Sequence, residues 1–125
     1  MGRLRIDRLT GPPEPLLAGG RTLVERCYLA DGPLGRAVGL LATPDLAEDE
    51  ALWLEPCWSV HAAGLRAEIG CAFLDGDGLV LRVVDPLRRG RAASLRGARA
   101  VVECRAGILA GVAPGSRLVR GFIRS

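Results

Sequence analysis

The chain has 125 residues, 49% of them hydrophobic and 25% charged, with a formal net charge of +3. One domain of this size buries roughly two-thirds of the surface its unfolded chain exposes, so a core can form without disulfide or metal staples, and the apolar content excludes a disordered chain. All 17 basic residues are arginine, with no lysine, asparagine or glutamine; this one-sided usage looks like coding-sequence bias and weakens the basic balance as a sign of nucleic-acid binding.

Nothing approaches the roughly 18–20 apolar residues of a membrane-spanning helix, and the start, Met1 to Asp7, has no apolar run behind its arginines. The expectation is a cytoplasmic protein without a membrane span. Cys27, Cys57, Cys71 and Cys104 form no Cys-x-x-Cys pair and read as free, partly buried thiols of a reducing compartment.

In chain order, Leu4, Ile6 and Leu9 alternate and predict an opening strand over 3–9, after which Gly11-Pro12-Pro13-Glu14-Pro15 predicts a loop over 11–20. Residues 1–20 thus read as an arm and 21–125 as a single domain. A strand is expected over 21–30. Asp31 then caps a helix with Pro33 in its first turn and Leu34, Val38 and Leu41 on one face, where Gly35 and Gly39 suit close approach to a strand. Thr43-Pro44 ends it, an acidic turn follows over 46–50, and a strand begins at 51–54.

Leu54 to Asp75 is the stretch around which the rest is organised. It holds the only histidine, His61, together with Cys57, Trp58, Ser59 and Arg66, on a loop or irregular strand leading into a buried strand over 69–74. Cys71 to Leu74 and Leu79 to Val84, joined by Asp75-Gly76-Asp77-Gly78, predict a β-hairpin ended by Asp85-Pro86. The same Asp-Gly-Asp-Gly does not fit a calcium loop, because no glutamate closes a twelve-residue spacing. A polar connection over 86–98 carries Arg88, Arg89, Arg91 and Arg96, with no carboxylate between Asp85 and Glu103. Strands are expected over 99–104 and 117–123, with a helical turn over 106–112 between them. No βαβ rhythm is present, so the predicted fold is mainly β: a compact antiparallel β-sandwich or jelly-roll-like barrel with one or two short helices.

These residues also carry a resemblance. Arg36-Ala-Val-Gly39-Leu40-Leu41, Pro56-Cys57-Trp58-Ser59-Val60-His61 and Phe73-Leu74-Asp75, with a weaker echo from Gly97 to Glu103 and Gly107, resemble the motifs of domain of unknown function 192, a family of small uncharacterised prokaryotic proteins, over about Arg21 to Leu118. The resemblance implies a jelly-roll-like β-sandwich and no established activity. Relatives usually continue the histidine with threonine, place methionine before the arginine, and follow with Pro-Ile-Asp. Here those positions are Ala62, Leu65, Glu68, Ile69 and Gly70, so the hydroxyl and the carboxylate are missing.

The candidate ligand-binding residues are His61, Arg66, Arg36, Cys57 and Trp58. Histidine can serve as base, ligand or proton switch, but general-base work needs an orienting partner, and Glu55, Glu68 and Glu103 are the candidates for that role. The alternative is a histidine bonded to backbone that fixes its loop. Cys57 with His61 resembles half a zinc site, yet structural zinc takes ligands in tight pairs and no second pair exists; a cysteine nucleophile lacks an identifiable oxyanion hole. Trp53 and Trp58 either both pack, or one packs while the other offers a platform for a sugar or base ring. The arginines of 86–98 read as a solvated face that can pair with Asp45, Glu48, Asp49 and Glu50. Residues 86–105 lack the interleaved aromatics that single-strand binding needs, which argues against a nucleic-acid partner.

Walker, dinucleotide, Gly-x-Ser-x-Gly and His-Glu-x-x-His motifs are all missing, so no cofactor or metal is expected. The leading expectation is a non-catalytic accessory domain, monomeric or weakly self-associating, that binds a small polar or anionic ligand or a protein segment near His61, Arg66 and Arg36. Two alternatives stand beside it: a small enzyme using His61 as acid or base, with or without metal, and a weak nucleic-acid binder through the arginines at 88–99.

Overall fold

A computed structural model describes residues 10–31, 46–61 and 68–121. The described chain is mainly β: β1 (Thr10–Ala18), β2 (Arg21–Asp31), β3 (Glu50–Glu55), β4 (Ser59–His61), β5 (Ile69–Leu74), β6 (Val80–Leu87), β7 (Ala92–Ser94), β8 (Ala100–Arg105) and β9 (Leu118–Arg120). Seven strands form one sheet in the order β6-β5-β8-β3-β2-β1-β9, curled into a half-barrel, and β4 pairs with β7 in a separate two-stranded ribbon.

Both faces of the sheet are covered, which is why β5 and β8 read as near-continuous apolar runs. Alternation deals their side chains to two cores. Tyr28, Leu52, Leu54, Cys71, Phe73 and Val101 face the ribbon, which closes over them with Cys57, Val60 and Ala93. On the other face Cys27, Ala51, Ala72, Leu74, Val102 and Cys104 pack beneath Leu109 and Val112 of the loop after β8.

The hairpin forms where expected, with β5 and β6 antiparallel, but β6 runs through Pro86 to Leu87 instead of ending at Asp85-Pro86. Asp75 organises its turn: one carboxylate oxygen accepts the amides of Asp77 at 2.8 Å and Leu79 at 2.9 Å. These two amide donors, Leu79 first, hold the Asp75 carboxyl below the usual carboxylate range.

Three expectations need correction. The loop over 11–20 is instead strand β1, placed between β2 and β9. Prolines remove amide donors, but here they lie where the β1–β2 register shifts between Thr10 and Leu16, and the Pro12 and Pro15 carbonyls stay in use. Pro15 accepts the Gly121 amide at 2.7 Å. The helical turn over 106–112 is a chain of tight turns, and no described residue is helical. Gly107 has φ +99, off the helical path, and the Asp85 carboxylate takes the amides of Gly107 at 2.8 Å and Leu109 at 2.9 Å. Finally, the sheet is not wholly antiparallel, since β2 and β3 run parallel from Arg26↔Glu50 to Asp31↔Glu55. A parallel pair needs a long crossover, and the chain between Asp31 and Glu50 provides one. The strand over 3–9 and the helix after Asp31 lie outside the described residues.

Candidate functional site

The Pro56-Cys57-x-x-Val60-His61 motif is the corner at which the chain leaves β3 and enters the ribbon, and most of it is structural. The Glu55–Pro56 peptide is cis. Cys57 is buried; its amide donates to the Arg99 carbonyl at 3.1 Å and its thiol to the Ser59 carbonyl at 3.2 Å. Val60 is fully buried under the ribbon. Pro56, Trp58, which is 45% exposed, and His61 are the exposed residues of the motif, with Ser59 half-buried.

The ribbon joins this motif to a stretch more than thirty residues later. Ser59↔Ser94, Val60↔Ala93 and His61↔Ala92 are paired, and the Leu95 amide donates to the Trp58 carbonyl at 2.9 Å. Val60 and Ala93 point inward, while His61, Ala92 and Ser94 are exposed. Two turns flank β7. One holds Arg88, Arg89 and Arg91 and is closed by the Arg91 amide on the Arg88 carbonyl at 3.0 Å; the other carries Arg96. All four arginines are exposed. Arg82 of β6 reaches over to donate to the Ser94 carbonyl at 3.1 Å, fixing the ribbon's position on the sheet.

The acidic turn pairs elsewhere. Asp49 and Glu50 meet Arg26, with Arg26 Nε and Nη2 donating to Asp49 at 3.2 Å each, so among the described residues the ribbon's arginines keep their charge for solvent. This fork-on-carboxylate contact holds the Asp49 carboxyl below its ordinary range.

Of the possible partners of His61, Glu103 is fully buried and lies on β8 opposite Leu52 and Cys71, on the face that the ribbon covers. Glu55 lines a cleft at the opposite side, and Glu68 is exposed and accepts the Ala106 amide through its backbone at 3.1 Å. Among the described residues, no hydrogen bond orients the His61 ring. The sequence offers Glu103 on equal terms with Glu55 and Glu68; the signal for its burial is an isolated acid inside the apolar run Ala100 to Cys104. Arg36 and Arg66 lie outside the described residues.

The tryptophans divide. Trp53 packs against the second core and lines an open cleft of about 360 Å³ with Glu55, Asp77 and Arg120, whereas Trp58 stands on the ribbon. Arg120 is already committed, donating to the Cys27 carbonyl at 3.1 Å and pairing with Glu14 at 3.4 Å.

The carboxylate missing at Gly70 is supplied in space by the neighbouring strand. A Cβ on Gly70 would lie 2.5 Å from the Asp85 Cγ, so this glycine leaves room for Asp85 to cross and hold the 107–109 turn. All four cysteines are buried and, among the described residues, no group of three histidine, cysteine or acidic side chains is placed to hold a metal ion.

The architecture defines a class: a mainly β domain whose curled sheet carries a covering ribbon on one face and a turn-rich loop on the other. The chain belongs to the family DUF192, described as uncharacterized ACR, whose model matches residues 16–120. Its fold is similar to that of a protein from Sinorhizobium meliloti 1021 described as a "putative transcription regulator", at 20% identity and TM-score 0.70, covering 89% of this chain and 96% of that one. A protein of unknown function from Novosphingobium aromaticivorans is similar at 18% identity and TM-score 0.71, covering 95% and 99%. No curated protein matches the chain.

Proposed function

We propose that this protein is a non-catalytic binding module of the cytoplasm whose ligand is anionic and docks on the outer face of the β4–β7 ribbon. His61 and Trp58 are its centre, with Arg88, Arg89, Arg91 and Arg96 around them; Arg66 and Arg36 are further candidates from the sequence, and Cys57 supports the corner from beneath. The observation that carries this reading is the pairing His61↔Ala92, which sets the exposed histidine next to the turn that carries Arg91, within two paired segments, 56–61 and 86–98, that hold no carboxylate. Guanidinium groups suit carboxylate and phosphate through their planar fork. Buried free thiols fit a reducing compartment.

The test is a two-dimensional amide NMR titration with inorganic phosphate and with citrate. The expected result is saturable shifts confined to residues 58–61 and 88–96, weakened severalfold in His61→Ala and Arg91→Ala. Shifts that are absent, or scattered over the sheet, would overturn the assignment.

A further inference from the structure

We infer that the ribbon face accepts a short run of single-stranded nucleic acid, with a base stacked on Trp58 and phosphates on the flanking arginines. This rests on the anion-binding reading of the same face and specifies its ligand. Two objections stood in the sequence: a modest net charge with composition-driven arginine usage, and the want of aromatics within 86–105. The fold answers both.

Charge is segregated rather than spread. Residues 56–61 and 86–98, which build the ribbon and its turns, hold four arginines and no carboxylate, leaving thirteen arginines against fourteen carboxylates in the rest of the chain. A chain of net +3 therefore carries a local +4 on one unit and a net −1 elsewhere. Compositional bias raises arginine everywhere; it does not clear acids from one stretch. Such a concentrated field attracts a polyanion and orients it.

The aromatic comes from a different part of the chain. Pairing of β4 with β7 puts Trp58 beside Leu95, next to Arg96, and His61 at the other end beside Arg91. Trp58 is one of two exposed large hydrophobic side chains among the described residues. Its ring has no structural need to face water, and a base face would cover it. Along the ribbon between Trp58 and His61, Ala92 and Ser94 are exposed and Ser59 half-buried, small side chains that leave the surface low.

The dimensions select a single strand. Trp58 to His61 spans three residue steps, about 10 Å at roughly 3.3 Å per residue, room for two or three nucleotides. A ribbon this short, with no described helix beside it, has little to place in the major groove of a duplex. Stacking also requires bases that are already unpaired. Because stacking and phosphate contacts are tolerant of sequence, the face should take RNA or DNA with weak base preference.

The test uses the full chain and fluorescein-labelled single strands of about twelve nucleotides, oligo-uridine and oligo-thymidine, with fluorescence anisotropy between about 50 and 200 mM salt. The expected result is saturable binding that weakens with salt, with a log–log slope of about −0.7 per phosphate contacted. Trp58→Ala should weaken binding by about 5-fold or more at unchanged slope, Trp58→Phe should largely restore it, and Arg88→Ala or Arg91→Ala should make the slope shallower by about 0.7. A duplex of the same length should bind more weakly. Failure of both oligonucleotides to bind at the lowest salt overturns the inference, and so does an unchanged Trp58→Ala or a duplex bound as tightly as the single strands. If phosphate and citrate still titrate residues 58–61 and 88–96 while the oligonucleotides do not bind, the anion-binding reading stands and the nucleic-acid inference alone fails. If neither binds, both fail.

Discussion

Cysteine here is a small apolar side chain rather than a reagent. Cys27 and Cys71 are fully buried, and desolvation pushes both thiols up to about 12 from 9.0, helped at Cys71 by the neighbouring Glu103 carboxylate and opposed at Cys27 by Arg120. Burial likewise raises the Cys104 thiol well above its usual range. In the unfolded chain these thiols ionise near their ordinary value, whereas in the fold they stay protonated. The stability they contribute is therefore complete below about pH 9 and declines as pH rises toward 12. The urea midpoint is expected to fall between pH 8 and pH 10.5, and to fall less steeply in Cys27→Ala and Cys71→Ala. Alkylation at pH 8 should leave the native protein unmodified and label four thiols once it is unfolded. A native thiol that reacts as fast as a free cysteine would contradict the burial of all four.

Among the elements, the ribbon separates holding from presenting residue by residue. Val60 has no exposed surface, whereas the next side chain along, His61, projects into solvent. Val60→Ala should cost about 1–3 kcal/mol, through lost transfer energy and the cavity left beneath the ribbon. His61→Ala should change stability by about 0.5 kcal/mol or less, as a surface substitution does. Equilibrium urea unfolding of the two variants decides the matter, and comparable losses would mean that His61 belongs to the scaffold. This division also marks how far the sequence could be read. β2, β3, β5 and β8 were legible because an apolar run or an alternation is a local property, and the 75–78 turn because its glycines and aspartates are. β1 was not, since its prolines look like breakers until β2 and β9 supply partners that tolerate them. The 106–112 turns were not, because the residue that shapes them, Asp85, is twenty-two positions away from Gly107. For the site, the motif residues were identifiable one by one, but not that Trp58 and Arg96 are neighbours, because strand pairing across thirty-five residues leaves no local trace.

At the scale of the molecule, the sheet must deal with its two edges, β6 and β9, because unpaired edge strands recruit other chains. It does so by bringing the edges together at one end. Leu79 bridges Arg117, the Val80 amide donates to Ser116 at 2.7 Å, Gly115 donates to Val80 at 2.9 Å, and Leu118 donates to Gly78 at 2.9 Å. Gly78 makes this approach possible, because a Cβ there would lie 2.5 Å from the Leu118 carbonyl oxygen. Gly115, on the other side of the same closure, has a similar positive φ, +95 against +83, but nothing within 4 Å of its Cβ position. The pair therefore separates two effects. Gly115→Ala bears only the left-handed backbone, about 1–2 kcal/mol. Gly78→Ala bears that strain and must also push β9 away from the start of β6, adding about 1–3 kcal/mol. Hydrogen exchange should localise the difference, with the amides of Val80 and Leu118 losing protection in Gly78→Ala and keeping it in Gly115→Ala. Equal destabilisation by the two substitutions would mean that the seam contributes nothing beyond its turns. The larger loss at Gly78 would show that the half-barrel depends on joining its first and last edges, which lie far apart in sheet order but meet through two short segments of backbone, 78–80 and 115–118.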